Sequence, residues 1–187
     1  MWHTLFVMTG MESQVVKFLN HRIRHSNYDV HHRIFHPTRK LVHLKRGVKT
    51  VVSRPLFPGY LFVETEDIAY FKHELRECSN HLTVLKNIDN SLETVRKDEI
   101  DEILVLLSEL GEIEFSTGLV ESDRVRIVSG PLMNYCGEII KISKRECKAK
   151  IRVNFLDKQS TIYVGLNVLE KVADMDLLNA RDFHFAK

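Results

Sequence analysis

Leu56-Phe57-Pro58-Gly59-Tyr60-Leu61-Phe62-Val63 is apolar on both of its alternating faces. A strand wetted on one side alternates apolar with polar residues, whereas a strand covered on both sides does not. The run therefore predicts a central strand, and the Pro58-Gly59 pair ahead of Tyr60 predicts a rigid corner at its entrance. Phenylalanine and tyrosine in a strand are core residues more often than not. Turns, however, lie at surfaces. Side chains held by this corner are thus candidates for an exposed apolar patch of the kind a protein partner covers.

Upstream, Trp2 to Met8 reads as a short apolar strand, and Thr9-Gly10-Met11-Glu12 matches the S/T-x-x-E capping box that opens a helix. Met11, Val15, Leu19 and Ile23 recur at helical spacing, and Ser26-Asn27 ends the pattern. Residues 30–54 alternate around Lys45-Arg46-Gly47, as a long hairpin does. Downstream, helices are predicted over Asp67–Cys78 and Asp98–Leu110, with a strand near Leu82–Leu85 between them and Gly111 as a C-terminal cap. Residues 111–121, with Gly118 in their middle, read as a linker. Beyond it the period becomes two. Val125, Ile127, Ile139, Ile151, Val153, Ile162 and Val164 lie in short β-branched runs separated by turn signals, which predicts a small closed barrel over 122–172. Residues 173–187 form an extension that fits neither pattern.

The 187 residues carry 27 Lys+Arg against 25 Asp+Glu, and 44% are apolar, a composition of ordinary globular proteins. No run approaches the roughly 18–20 apolar residues of a membrane helix, and the N-terminus lacks the features of a secretory leader. Cys78, Cys136 and Cys147 are odd in number and form no C-x-x-C pair, so neither a disulfide framework nor a cysteine zinc site is expected, and a reducing cytoplasm is. The charges are segregated. Residues 21–54 hold nine cations (Arg22, Arg24, Arg33, Arg39, Lys40, Lys45, Arg46, Lys49 and Arg54) and one acid, with six histidines. Residues 89–123 hold eleven acids and two cations, and residues 124–172 return to a net charge of +6. A window so one-sided repels itself unless a polyanion relieves it, which makes the nine cations a candidate nucleic-acid face.

Catalytic signatures are missing: there is no G-x-G-x-x-G, G-x-x-x-x-G-K, G-x-S-x-G or H-E-x-x-H. His21 and His25 have the i, i+4 spacing of a metal pair, but Arg22 and Arg24 flank them and oppose a bound cation. They read instead as exposed histidines on a basic face. His31, His32 and His36 read likewise and are expected to add partial charge near neutral pH. No enzyme activity, cofactor or metal is expected.

Trp2, Gly10 and Glu12, followed by the run from Leu56 to Val63, resemble the N-terminal domain of NusG-type transcription elongation factors. Val125-Arg126-Ile127-Val128-Ser129-Gly130-Pro131-Leu132, with Gly137 and Ile139, resembles the KOW motif of their C-terminal barrel. Asn154-Phe155-Leu156 and Val168 to Val172 fit the end of that barrel. The resemblance implies an α+β fold: an N-terminal α/β sandwich with an antiparallel sheet over 1–110, then the all-β KOW barrel. It also implies that Trp2, Met11, Phe57, Pro58 and Tyr60 line an apolar depression that grips the β′ clamp helices of RNA polymerase. The barrel is then free to recruit Rho or a ribosomal protein.

The basic window, Leu132 in place of a Phe common in the barrel motif, and the extension depart from the housekeeping pattern. They resemble the specialised LoaP, RfaH and UpxY groups, processive antiterminators of long operons. LoaP-type members are loaded by an RNA hairpin in the nascent leader. The expectation is a cytoplasmic monomer that binds polymerase and an RNA hairpin or the non-template DNA strand. Two other readings stand beside it, a housekeeping NusG and a KOW-type ribosomal RNA-binding protein. The barrel is expected to stay β, because its β-branched residues and Gly130-Pro131 suit strands and turns better than the helical hairpin that RfaH-type proteins adopt.

Overall fold

The computed structural model describes residues 1–25, 31–79, 92–122 and 124–169. In chain order the elements are β1 (Trp2–Phe6), α1 (Glu12–Arg24), β2 (His32–Phe35), β3 (Thr38–Lys45), β4 (Val48–Pro55), β5 (Tyr60–Thr65), α2 (Ile68–Ser79), β6 (Leu92–Thr94), α3 (Lys97–Leu104), β7 (Glu112–Ile113), β8 (Ser116–Glu121), β9 (Arg124–Ser129), β10 (Ile139–Ser143), β11 (Lys148–Phe155) and β12 (Lys158–Leu169). A turn of 3-10 helix covers Pro131–Asn134. The strand expected near Leu82–Leu85 lies outside the described residues.

The doubly apolar run behaves as its pattern demands. β5 is an inner strand of a four-stranded sheet in the order β2-β5-β1-β6, antiparallel at each pairing. Leu5, Val7, Ile34, Leu61 and Val63 bury one face of this sheet against Val15 and Leu19 of α1 and Phe71 and Leu75 of α2. Phe35 and Phe62 point the other way, with Trp2 and Tyr60, into a second cluster built with Ile100 and Ile103 of α3. Asp67 caps α2, its Oδ1 accepting the Tyr70 N–H at 2.9 Å.

The basic window forms the predicted hairpin. β3 and β4 pair from Thr38↔Pro55 to Lys45↔Val48. Arg46 and Gly47 both take positive φ, 52° and 81°, the type I′ turn that matches strand twist. Pro37 separates β2 from β3, so the chain leaves the first sheet there and builds the hairpin in a second sheet ordered β4-β3-β7.

Three expectations need correction. The capping box does not form: Met11 is the N-cap, without a side-chain cap bond, and the helix starts at Glu12. The third helix ends at Leu104 rather than Leu110. Tighter i→i+3 bonds, Leu106 N–H to Ile103 O and Leu107 N–H to Leu104 O, turn the chain there and bury Leu106. Leu110 is left 90% exposed, so the apolar stripe that seemed to extend the helix is not one continuous face. The stretch read as a linker contains two strands. β7 runs parallel to the start of β3, and β8 runs parallel to the end of β12. Gly118, which seemed to break the pattern, is required inside β8, because a Cβ there would sit 2.5 Å from Val125 Cγ1.

The C-terminal strands form one sheet in the order β10-β11-β12-β8-β9. Ala149, Ile151, Val153, Ile162, Val164 and Leu166 fill its inner side. Apart from the short 3-10 turn, the described residues 124–169 carry no helix, and the fold class is the expected α+β one with a KOW-like C-terminal body.

Candidate functional site

The second face of the first sheet collects aromatic side chains. Trp2 and Phe35 meet edge to face at 6.0 Å, and Phe35 stacks on Phe62 at 5.9 Å. The expected patch is only partly assembled and is not open. Pro58 is exposed, Trp2 and Tyr60 are half-buried, and Phe57 is just 8% exposed. Met11 packs on the helix side of the sheet, in the other cluster. Phe57 is covered because Phe155, at the end of β11, stacks on it at 4.0 Å and 17°. Phe155 also meets Tyr60 edge to face at 5.3 Å and Phe62 at 5.7 Å. The C-terminal sheet thus lays its β11–β12 turn on the apolar face of the N-terminal one.

Polar contacts from α3 fix that turn. Glu99 Oε1 accepts the Asp157 N–H at 2.8 Å, and Glu102 Oε2 accepts the Asn154 N–H at 3.1 Å. The Arg96 guanidinium lies 2.9 Å from Asp157. The Tyr135 hydroxyl donates towards Glu102 and the Arg152 carbonyl. Burial, with the Glu102 charge beside it, pushes the Tyr135 phenol above its ordinary range. Leu156 and Asp157 hold φ of 53° and 58° in the turn. At the opposite side Gly165 of β12 meets β3 so closely that a Cβ would lie 2.5 Å from the Phe115 ring and 2.8 Å from the Lys40 carbonyl.

Glu12 fixes the Pro58-Gly59 corner. Its carboxylate is 3% exposed, and it accepts the N–H of Gly59 at 2.8 Å and of Gly10 at 2.7 Å. Burial alone raises a carboxyl pKa; here the Gly59 and Gly10 hydrogen bonds outweigh it and hold Glu12 below the ordinary value. A depressed folded-state pKa stabilises the protein above the unfolded pKa, and this contribution disappears as pH falls through the folded value. Glu12→Gln should therefore cost about 1–3 kcal/mol at neutral pH. Melting curves of both proteins should converge below the ordinary glutamate range; a gap that stays constant with pH would reject this role for the charge.

The nine candidate cations fall into two groups. Three are engaged by neighbouring side chains and a fourth is half-buried. Arg22 Nε bonds Glu74 at 2.7 Å, and Lys40 Nζ bonds Glu114 at 2.7 Å and approaches Glu112 at 3.5 Å. The Glu114 hydrogen bond raises the Lys40 pKa. Arg33 lies over the Phe35 and Trp2 rings at 4.9 and 5.9 Å. Arg39 is half-buried with two guanidinium nitrogens lacking a partner among the described residues, and burial lowers its pKa. The other five, Arg24, Lys45, Arg46, Lys49 and Arg54, are exposed. No ion pair involves Lys45, Arg46, Lys49 or Arg54 among the described residues.

The histidines divide too. Burial lowers the pKa of His32 and His36, so they stay neutral near pH 7 and do not add the expected partial charge. His21 and His25 stack at 4.3 Å at the C-terminal end of α1. Among the described residues no group of three or more His, Cys, Asp or Glu side chains could hold a metal.

Sequence reasoning met Phe155 only as part of the barrel's end and assigned no site role to Phe155, Glu102 or Phe35. Phe155 has a signal in hindsight: it ends a strand whose inner residues already fill a core, next to a two-residue turn.

A family model described as transcription termination factor nusG matches residues 1–104. The transcription termination/antitermination protein NusG of Thermus thermophilus is 26% identical over 181 residues, covering 91% of this chain and 97% of that protein. The corresponding protein of Escherichia coli K12 is 21% identical over 172 residues, covering 91% and 95%. A solved structure, "Domain interaction in Thermotoga maritima NusG", has 21% identity and a TM-score of 0.44, covering 88% of this chain and 92% of that one.

Proposed function

We propose that this chain, which belongs to the NusG family of transcription termination and antitermination factors, is a specialised processive antiterminator that binds RNA polymerase and is recruited by a hairpin in the nascent leader RNA. It does this without covalent chemistry, by binding one state of the transcribing complex better than another. The observation that carries the specialised reading is the hairpin β3–β4, with four exposed cations that are unpaired among the described residues. The N-terminal domain ends with β7 and the KOW domain begins with β8. Trp2, Phe57, Pro58 and Tyr60 form the polymerase face, and Met11 supports it from the far side of the sheet. Lys45, Arg46, Lys49 and Arg54 are the principal phosphate contacts. Specificity then comes from a loop or bulge, since the deep major groove of A-form RNA is closed to side chains.

Co-purification with RNA polymerase separates this reading from a ribosomal RNA-binding protein. Tight binding to the leader hairpin of its own operon, and not to unrelated hairpins, separates it from a housekeeping factor. Tyr60→Ala should weaken capture of the β′ clamp helices by about 1–3 kcal/mol while leaving RNA binding unchanged. Loss of RNA binding with polymerase capture intact would assign Tyr60 to the other face.

A further inference from the structure

A cleft of about 590 Å³ separates the basic hairpin from the C-terminal sheet. Val42, His43 and Lys49 form one wall, and Arg145 and Lys148 belong to the other. The second wall is the β10–β11 turn and the start of β11, and the outer face of the sheet continues from it. In β11, Ala149, Ile151 and Val153 point inward, so Lys148 and Lys150 point outward. Pairing places Lys150 opposite both Lys141 of β10 and Tyr163 of β12. Tyr163 is 38% exposed, with the Lys148 ammonium 4.4 Å and the Lys150 ammonium 5.9 Å from its ring centre. Glu146 is the acid of the cleft, held by Lys148 at 3.2 Å and the Ser143 hydroxyl at 3.2 Å.

A partly exposed aromatic ring beside cations suits a single-stranded nucleic acid, once the Lys148 ammonium over the ring swings onto a phosphate. Bases stack on the ring, and the backbone follows the positive charge. A duplex hides its base faces and cannot use such a ring. We infer that this cleft and the adjoining outer face of the sheet bind a single-stranded nucleic-acid segment across both domains, a base stacking on Tyr163 while Lys49, Arg145, Lys148 and Lys150 hold its phosphates. The inference rests on the nucleic-acid role proposed for the hairpin, and adds the form of the ligand and a second wall. The close approach of Gly165 to β3 brings the two walls together, so a short strand touches both.

The test uses the full-length protein and fluorescently labelled oligouridine of roughly six nucleotides, near the lower end of the site size of one such barrel. Tyr163→Ala should weaken binding about tenfold or more, and Tyr163→Phe should retain it. Lys49→Ala and Lys148→Ala, on opposite walls, should each weaken the same short strand. Tyr163 is on the surface, and unchanged melting temperatures will show that the variants fold. A duplex of equal length should bind weakly and ignore the Tyr163 change. Oligothymidine that binds as well, with the same dependence on Tyr163, supports the cleft and points to a DNA strand; a preference for oligouridine supports it and points to RNA. Equal affinity of Tyr163→Ala, Tyr163→Phe and the unaltered protein overturns the cleft. If leader-hairpin binding still depends on Lys45 and Arg46 in that case, the hairpin reading survives. If no nucleic acid binds in a salt-sensitive way, both fall.

Discussion

Phe155→Ala should open the molecule and strengthen its binding to the polymerase clamp helices by at least tenfold. Phe155 is buried where the cluster of Ile151, Val153, Ile162, Val164 and Leu166 joins Phe57 and Phe62 of the N-terminal sheet. Its ring is spent on Phe57, Tyr60 and Phe62. Replacing a buried phenylalanine by alanine costs about 3–5 kcal/mol. All three of its ring contacts cross to the N-terminal sheet, so the loss weakens the contact between the sheets. A protein whose competent form is a minor fraction binds more weakly in proportion to that fraction, so removing the cover raises the apparent affinity. The chain has a single tryptophan, Trp2, on the covered face. Its emission should shift to the red in the variant as water reaches the ring. Gly165→Ala offers an independent route, since its Cβ would press on Phe115 and the Lys40 carbonyl from the other side of the contact. Both variants should keep the β-type circular dichroism of the C-terminal sheet. If neither moves the Trp2 emission or the capture of the clamp helices, Phe57 and Tyr60 are core residues and the polymerase face lies elsewhere.

The central strand, the hairpin and the two-period C-terminal sheet were legible because each obeys a local rule. Leu61 and Phe62 are apolar on opposite faces, Arg46-Gly47 accepts positive φ, and Ile151 and Val153 alternate with lysines and arginine. What was not legible depends on contacts distant in sequence. Glu12 looks like half of a capping box, yet its carboxylate is claimed by Gly59, 47 residues away. Phe57 looks like an exposed turn residue, yet Phe155 arrives from the other sheet and stacks on it. Among the nine cations, composition could not separate Lys40, neutralised by Glu114, from Lys49, which faces the cleft. The acidic stretch 89–123 and the basic C-terminal body carry opposite net charge. Yet Glu99 and Glu102 meet that body by accepting hydrogen bonds from the backbone N–H groups of Asp157 and Asn154, which net charge does not describe.

That separation of the cations sets the scale of the second large effect. Changing Lys45, Lys49 and Arg54 to Gln and Arg46 to Asn should lower affinity for the leader hairpin by roughly a hundredfold at low salt, and leave the clamp-helix interaction nearly unchanged. Asn is chosen at position 46 because φ there is 52°, a conformation that Asn tolerates better than most residues. Each lost phosphate contact removes roughly one unit from the slope of log K against log salt. The combined variant should therefore flatten that slope by about 3–4 units. Arg39→Gln belongs to a different class. Its guanidinium is half-buried, so the substitution acts on the stability of the hairpin and should leave the salt slope in place. Salt titrations of the two variants against one RNA distinguish the classes without assuming where the RNA sits. If the combined variant keeps the full slope, the phosphates are held by the outer face of the C-terminal sheet alone, and the hairpin is a wall without a charge role.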